Sequence, residues 1–507
     1  MFDFSAVKKI FKVKKPELIE NVISLIASFV TAFLFTMNSP LHAWVNSDPG
    51  TDSSVFKTVA LMMRKGFMPY RDTFDHKGPF MYIINYVGDC ISEYRGIWVV
   101  EIVFLTVAFW VIYKTARLLC GAWPATIVTF ISASLLFPYY QGGNMTEEYA
   151  MPLIAMGLYI FCDYFINGKI SRCRLIICGL SFCGTLLLRP NMIAVWVVMC
   201  LAVLIDSLIK KDLKDLMGFA SFFLIGILIL GIPVLIWLAV NGALWQCWQD
   251  YIVFNGTYTS SEIGMAVFSR KWASFFCFFG TPVFIIAFVS QMYSCVKEKS
   301  LFDFSYLAYM ILSLIFICLS GRTYEHYGMI LIPAVAYPLA KIFRLIGENE
   351  PAVWRETVTL LISLYALGSI ILPDWVELIE EVPASYENRG ELHLPEEVQA
   401  VSYVLNELGI GEDEPISVFG NWDEIYVVTG RPHATRYSYQ FPISDVSPQI
   451  MDDYLVSLAK ELPRAIVIED GYYREEIADF LGKNNYTFIW GEHGNPESDG
   501  AMVFYRE

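Results

Sequence analysis

Eleven apolar stretches, recurring from residue 21 to residue 372, restrict what this chain can become more than any other feature of it. They fall at 21–37, 97–116, 122–137, 149–166, 175–188, 192–208, 217–240, 273–295, 304–320, 327–343 and 358–372. A helix needs roughly 17 to 25 apolar residues to cross a hydrocarbon core about 30 Å thick. Inside lipid only a segment that satisfies its own backbone hydrogen bonds survives. The expected fold is therefore a polytopic α-helical membrane protein with about 11 transmembrane helices. Charged residues make up only 17% of the chain, below the level of a soluble domain.

The basic residues orient these spans. With the N-terminus cytoplasmic, the inner segments carry Lys8, Lys9, Lys12, Lys14 and Lys15, then Lys114 and Arg117, then Lys169, Arg172 and Arg174. Lys210, Lys211 and Lys214 follow, then Lys297 and Lys299, then Lys341, Arg344 and Arg355. Every inner segment is basic, and the loop 138–148 opposite has no Lys or Arg. That is the positive-inside pattern. An odd count then leaves the C-terminal part extracytoplasmic. The first span lacks a convincing small-residue cleavage site and reads as an uncleaved signal anchor.

After Pro373 the composition changes. From Asp374 to Glu507 there are 27 acids against 8 Lys and Arg, a net of about −19, which argues against nucleic acid as a partner. Helical periodicity at 395–408, 449–462 and 474–481 alternates with strand-like runs at 416–419, 465–469, 486–490 and 501–505. This predicts a small α/β domain with a parallel or mixed sheet. Phe419-Gly420-Asn421 follows the first strand without a GxGxxG, so no dinucleotide site is expected. All 11 cysteines lie at or before Cys318 with no metal-ligand spacing, which supports neither a zinc site nor a disulfide framework.

The first outer loop, 38–96, is long for a connector between membrane helices. It carries Asp48, Asp52, Asp72 and Asp75, with His76 and Lys77 beside the last. Turn signals at Asp48-Pro49-Gly50 and Lys77-Gly78-Pro79 bracket a short helix-like run. The same predicted side collects Asn144-Met145-Thr146-Glu147-Glu148-Tyr149, Arg189-Pro190-Asn191 and Gly321-Arg322-Thr323-Tyr324-Glu325-His326-Tyr327. Ionisable groups gathered where a chain leaves the bilayer point to a site at the membrane surface.

The order of these features resembles the GT-C glycosyltransferases, close to the protein O-mannosyltransferases and the lipid A aminoarabinose transferase. The resemblance rests on an acid in the first outer loop, here Asp52 in Thr51-Asp52-Ser53-Ser54-Val55-Phe56. Pro69-Tyr70-Arg71-Asp72 and Asp75-His76-Lys77-Gly78-Pro79 follow it, with Glu147 or Glu148 before a later span and His326-Tyr327 ahead of Pro333. It implies a GT-C-like catalytic domain over 1–373 and a variable extracytoplasmic α/β domain over 374–507. The implied reaction is inverting transfer of a sugar from a polyprenyl-phosphate donor to an acceptor hydroxyl of a surface polysaccharide, glycolipid or protein.

Such a reaction needs one general base for the acceptor proton and fixed positive charge for the leaving phosphate. Asp52 is the expected base, with Asp48 in reserve; read alone, Asp52 is equally a helix N-cap. Arg322, His326, Lys77 and Arg189 are the expected phosphate partners, although Arg322 also fits a snorkelling interfacial residue. Glu147 is expected to orient the acceptor or hold a divalent cation such as Mg²⁺ or Mn²⁺, and Glu148 to be a first-turn acid. Asp75, His76 and Tyr327 are expected to order the loop or the acceptor. The aromatics Trp245, Trp248, Tyr251 and Tyr258 suit either sugar stacking or an interfacial belt. Two other classes compete: a lipid-linked saccharide flippase or transporter, which calls for charge at mid-membrane depth, and a ligand-sensing membrane protein. Glu101, Asp163 and Asp206 sit only near span ends, which counts against the transporter.

Overall fold

The structure is a computed structural model that describes residues 15–42, 46–47, 50–93, 95–168, 170–260, 282–319, 324–349, 352–387, 389, 392–493 and 500–507. Asp48 and Arg322 lie outside this set, as does the first part of the expected span 273–295.

Helix or a 3₁₀ turn runs through the described part of each expected span. Seven helices among the described residues are long and apolar enough to cross a membrane: Glu17–Asn38, Gly96–Arg117, Thr146–Asn167, Leu213–Val240, Leu301–Cys318, Glu325–Ile346 and Glu356–Glu387. Ala122–Ser134 is shorter at 13 residues, as are Arg172–Leu188 and Ala194–Lys210 at 17 each, and Pro282–Glu298 is the described part of the expected span 273–295. The protein is thus a multi-pass helical membrane protein, with seven such helices among the described residues.

Burial sorts these helices. Gly96–Arg117 packs against Thr146–Asn167 through fully buried side chains such as Phe109, Tyr149 and Phe161. Leu213–Val240 instead turns Leu224, Ile229, Leu235 and Ile236 outward, as a helix does when its solvent is lipid. The acids near span ends also separate. Asp163 pairs with Arg174, Asp206 with Lys210 at 2.7 Å and Asp303 with Lys341 at 2.8 Å, all at the end remote from the first loop.

The last apolar run does not stop where its hydropathy fades. Ala352–Ala366 passes through a π-helical turn, Leu367–Ile371, into Leu372–Glu387. Pro373 has no N–H to return to the carbonyl of Ser369, and the helix widens just ahead of it.

Beyond this helix lies the α/β domain. Strand β2 (Leu392–His393) pairs in parallel with β1 (Asn46–Ser47) of the first loop. The main sheet contains β3 (Ser417–Phe419), β4 (Ala465–Ile468), β5 (Thr487–Gly491) and β6 (Met502–Tyr505) in the order β3-β4-β6-β5. β3 and β4 are parallel and the other pairs antiparallel, so the sheet is mixed. Val398, Val401 and Leu405 of helix Glu396–Glu407 bury against Ile416, Val418 and Val467. The domain sits directly on the first loop: the Phe74 N–H donates to the Arg436 carbonyl at 2.7 Å, and Thr58 Oγ1 to the Asp423 carbonyl at 3.2 Å.

Under the loop, the Glu101 carboxylate ends a membrane helix and accepts from Ser39 Oγ at 3.1 Å, Tyr140 OH at 3.2 Å and the Asn144 N–H at 2.8 Å. Gly143 makes this closure possible. Its φ is +82°, and a Cβ there would lie 2.2 Å from Glu101 Oε1. Gly143→Ala is therefore expected to destabilise the protein by about 2 kcal/mol or more. A thermal melt of the purified protein in detergent checks this, and an unchanged melting temperature would refute it.

Candidate functional site

The first loop folds into two helices. Thr51–Arg64 starts on Gly50, whose φ of +79° makes it the cap. Asp52 is the second helical residue, so the capping alternative falls away. The helix is anchored by Ser53, whose hydroxyl accepts from Asn144 Nδ2 at 2.8 Å. Asn144 is itself fixed by Asn85 and by the Tyr149 hydroxyl at 2.9 Å. Among the described residues Asp52 makes no hydrogen bond or ion pair of its own. Its charge is felt at both the His326 imidazole and the Tyr439 hydroxyl.

The second helix, Pro79–Ile91, opens with Pro at its first position after Gly78, a favoured start. Gly78 touches the end of helix Arg172–Leu188: its N–H donates to the Leu188 carbonyl at 3.1 Å, and a Cβ would lie 1.9 Å from the Leu187 oxygen. Only glycine fits there. The contact brings Lys77 to the same place as Arg189.

Asp75-His76-Lys77 forms a linked series. Asp75 is buried, and its carboxylate accepts from Tyr82 OH at 2.8 Å, Tyr439 OH at 2.8 Å and the His76 N–H at 2.7 Å. Burial opposes its ionisation, yet the His76 contact, the Lys77 charge and the Tyr82 hydroxyl outweigh it and hold the carboxyl well below the ordinary range. Burial, then repulsion from Lys77, pushes the His76 imidazole down, so it is neutral at pH 7. Lys77 Nζ lies 3.1 Å from His76 Nε2, and an ammonium only donates. Nε2 is therefore the acceptor, and the ring proton sits on Nδ1, 3.3 Å from Asp75 Oδ1.

Arg189, Glu147, His326 and Tyr327 form the facing group. Arg189 Nη1 donates to Glu147 Oε1 at 2.5 Å and Nη2 to Tyr327 OH at 2.9 Å, while the guanidinium lies 4.3 Å from the centre of the Tyr327 ring. His326 Nε2 is 4.0 Å from Glu147 Oε2. Gln141 donates its Nε2 to Glu325 at 3.1 Å, which turns its Oε1 toward His326 Nδ1 at 2.8 Å. His326 thus carries its proton on Nδ1 and offers the lone pair of Nε2 to the cluster.

The structure therefore brings together Asp52, Asp75, His76, Lys77, Glu147, Arg189, His326 and Tyr327 from four separate stretches. Glu148 does not join them: both of its oxygens are buried without a hydrogen-bond partner among the described residues. Arg71 and Asp72 staple the loop, pairing at 2.6 Å while Asp72 accepts from the Met68 N–H at 2.8 Å. Trp245 and Trp248 are exposed, whereas Tyr251 is buried and donates to the Leu186 carbonyl at 2.5 Å. Among the described residues no three His, Cys, Asp or Glu side chains gather as a ligand set for a metal ion. Sequence reasoning missed Tyr439 and the Arg436–Asp250 ion pair, which join the C-terminal domain to this cluster. Neither carries a local motif.

Two solved proteins share this architecture. ArnT from Cupriavidus metallidurans, in a crystal structure bound to undecaprenyl phosphate, is 12% identical and covers 96% of this chain and 97% of that one, with a TM-score of 0.61. The Archaeoglobus fulgidus oligosaccharyltransferase, complexed with Zn and sulfate, is 15% identical over 94% of this chain and 72% of that one, with a TM-score of 0.53. The chain shares its fold with these two proteins, in keeping with the fold that the order of loop motifs implies. In sequence, residues 9–343 match the family described as "Putative competence-induced protein Ccs4 N-terminal domain", and the chain belongs to that family. No curated protein matches the chain in sequence.

Asp423 gives the interface with the C-terminal domain a pH dependence. One oxygen accepts from Ser438 Oγ at 2.9 Å and the other has no partner among the described residues. Burial, assisted by the charges of Asp75 and Glu469, pushes its ionisation up to about 8. The folded form then holds a proton that the unfolded chain releases near its ordinary value of 3.8. Stability accordingly falls as pH rises across that window. Asp423→Asn is expected to flatten this decline in melting temperature, leaving a smaller slope from Asp250, which is raised to about 7 by its burial. Identical pH profiles for variant and wild type would refute it.

Proposed function

We propose that this protein is an inverting glycosyltransferase that moves a sugar from a polyprenyl-phosphate donor to an acceptor hydroxyl at the extracytoplasmic surface. The acceptor class is a surface polysaccharide, a glycolipid or a protein. In this reading the N-terminus is cytoplasmic, and the first loop, 38–96, and the domain 374–507 are outside. The observation that carries it is the uncommitted carboxylate of Asp52, which shares one end of the helical bundle with Lys77, Arg189 and His326. The solved ArnT, which shares the fold, is bound to undecaprenyl phosphate, and that supports a lipid phosphate as the leaving group.

The chemistry follows from these groups. Asp52 takes the proton of the acceptor hydroxyl as its oxygen attacks the anomeric carbon from the face opposite the phosphate. The C–O bond to the phosphate breaks, and the configuration inverts. Negative charge then grows on the lipid phosphate, which is a good leaving group and needs fixed cations rather than a proton. Lys77 supplies a point charge with donors still open. Arg189 supplies a charge held in place by Glu147 and Tyr327. Arg322, beyond the described residues, stays in this reading as a further phosphate partner.

Asp52→Asn removes the base and changes little else, because the side chain has no hydrogen-bond or ion-pair partner among the described residues. Transfer is expected to fall by roughly 100- to 10,000-fold with expression and melting temperature intact. The measurement is surface-glycan composition in cells carrying the variant or the wild type. A full wild-type glycan profile from the variant would end the assignment of Asp52 as base.

A further inference from the structure

We propose that Tyr439, contributed by the C-terminal domain, is a positioning residue for the Lys77 ammonium, so that the donor-phosphate site is completed by that domain. This rests on the donor reading above.

A lysine is a poor fixed charge by itself. Its ammonium rides on a flexible four-carbon stem and holds no preferred geometry. Lys77 is partly exposed, and no carboxylate pairs with it among the described residues. What fixes it is His76 Nε2, 3.1 Å from Nζ, which takes one of its three N–H donors. The other donors are left for a ligand. His76 accepts only while its proton is on Nδ1, and Nδ1 is held there by Asp75 Oδ1. The lysine is therefore placed by the ring, and the ring by the carboxylate.

Asp75 in turn needs placing. Tyr82 binds Oδ2, and the Tyr439 hydroxyl donates to Oδ1 at 2.8 Å while lying 3.4 Å from His76 Nδ1. Tyr439 thus touches the two groups that set Lys77, and it comes from more than 360 residues further along the chain. Its backbone neighbourhood is built to deliver it. The Arg436 carbonyl accepts from Phe74, Arg436 Nε donates to the Tyr70 carbonyl at 2.8 Å and its guanidinium pairs with Asp250, while the Gln440 N–H is held by the Gly420 carbonyl at 2.9 Å. The segment 433–440 is therefore strapped along 70–77 at several points, with Tyr439 buried beneath it.

The test is a double-mutant cycle on the full-length protein in nanodiscs, titrated with undecaprenyl phosphate. Wild type, Tyr439→Phe, Lys77→Met and the double variant are compared, with melting temperatures taken in parallel. Tyr439→Phe deletes one oxygen and is expected to weaken binding about tenfold, the scale of a hydrogen bond to a charged group. In the Lys77→Met background the same change is expected to alter affinity by less than about twofold, because the ammonium it positions is gone. A purely structural tyrosine would give equal losses in both backgrounds, and that result overturns the proposal. So would no loss in either, or a Tyr439→Phe protein that no longer folds. A folded wild type that does not bind the lipid at all would instead remove the donor reading on which this one stands.

Discussion

The buried carboxylate of Asp75 is the interaction on which the loop architecture depends. A charge withdrawn from water survives only if donors replace its hydration. Here the donors are Tyr82 from the loop's second helix, the N–H and ring of His76, and Tyr439 from the C-terminal domain. Two segments 364 residues apart, the loop around Asp75 and the one bearing Tyr439, must be in place at once for that charge to be tolerated. The same requirement orders Lys77 and holds the outer domain on the loop, so local electrostatics and domain docking are one constraint.

The membrane helices supply rigidity to the other half of the site. Arg189 emerges where helix Arg172–Leu188 ends, and Glu147 where Thr146–Asn167 begins, so their ion pair joins two helix ends across the bundle. Tyr327 and His326 arrive on the 3₁₀ turn that opens the helix beyond them. Each group is carried by an element whose position is set by buried packing several turns away. Glu101 performs a comparable service beneath them by gathering the turn 140–144 on its carboxylate. Among the described residues, Asp52 is the member of the cluster with no hydrogen-bond or ion-pair partner.

Much of this was legible in the chain because its signals are local. The apolar spans, the alternation of helix and strand after residue 390 and the order of Asp52, Lys77, Glu147 and His326 are all matters of composition and spacing within a few dozen residues. Helix ends were less legible: hydropathy marks where a helix is greasy, whereas helix ends answer to capping and packing, which is why Ala122–Ser134 stops short of residue 137 and the last span runs through Pro373 to Glu387. The carboxylates of Glu147 and Glu148 are neighbours in sequence with opposite fates. One faces Arg189 and the other is buried without a partner, because successive residues of a helix point about 100° apart.

The sequence by itself determined that the chain lives in a membrane, that a soluble α/β domain follows the spans, and that ionisable residues gather at one set of loops. These outcomes depend on transfer free energy and backbone periodicity, which are properties of short stretches. The tertiary structure alone decided that Tyr439 and Arg436 reach the first loop and that Arg189 is matched to Glu147. Those are pairings between groups tens to hundreds of residues apart, and no local pattern encodes them. They exist only once the folded chain has brought those groups within hydrogen-bond distance of one another.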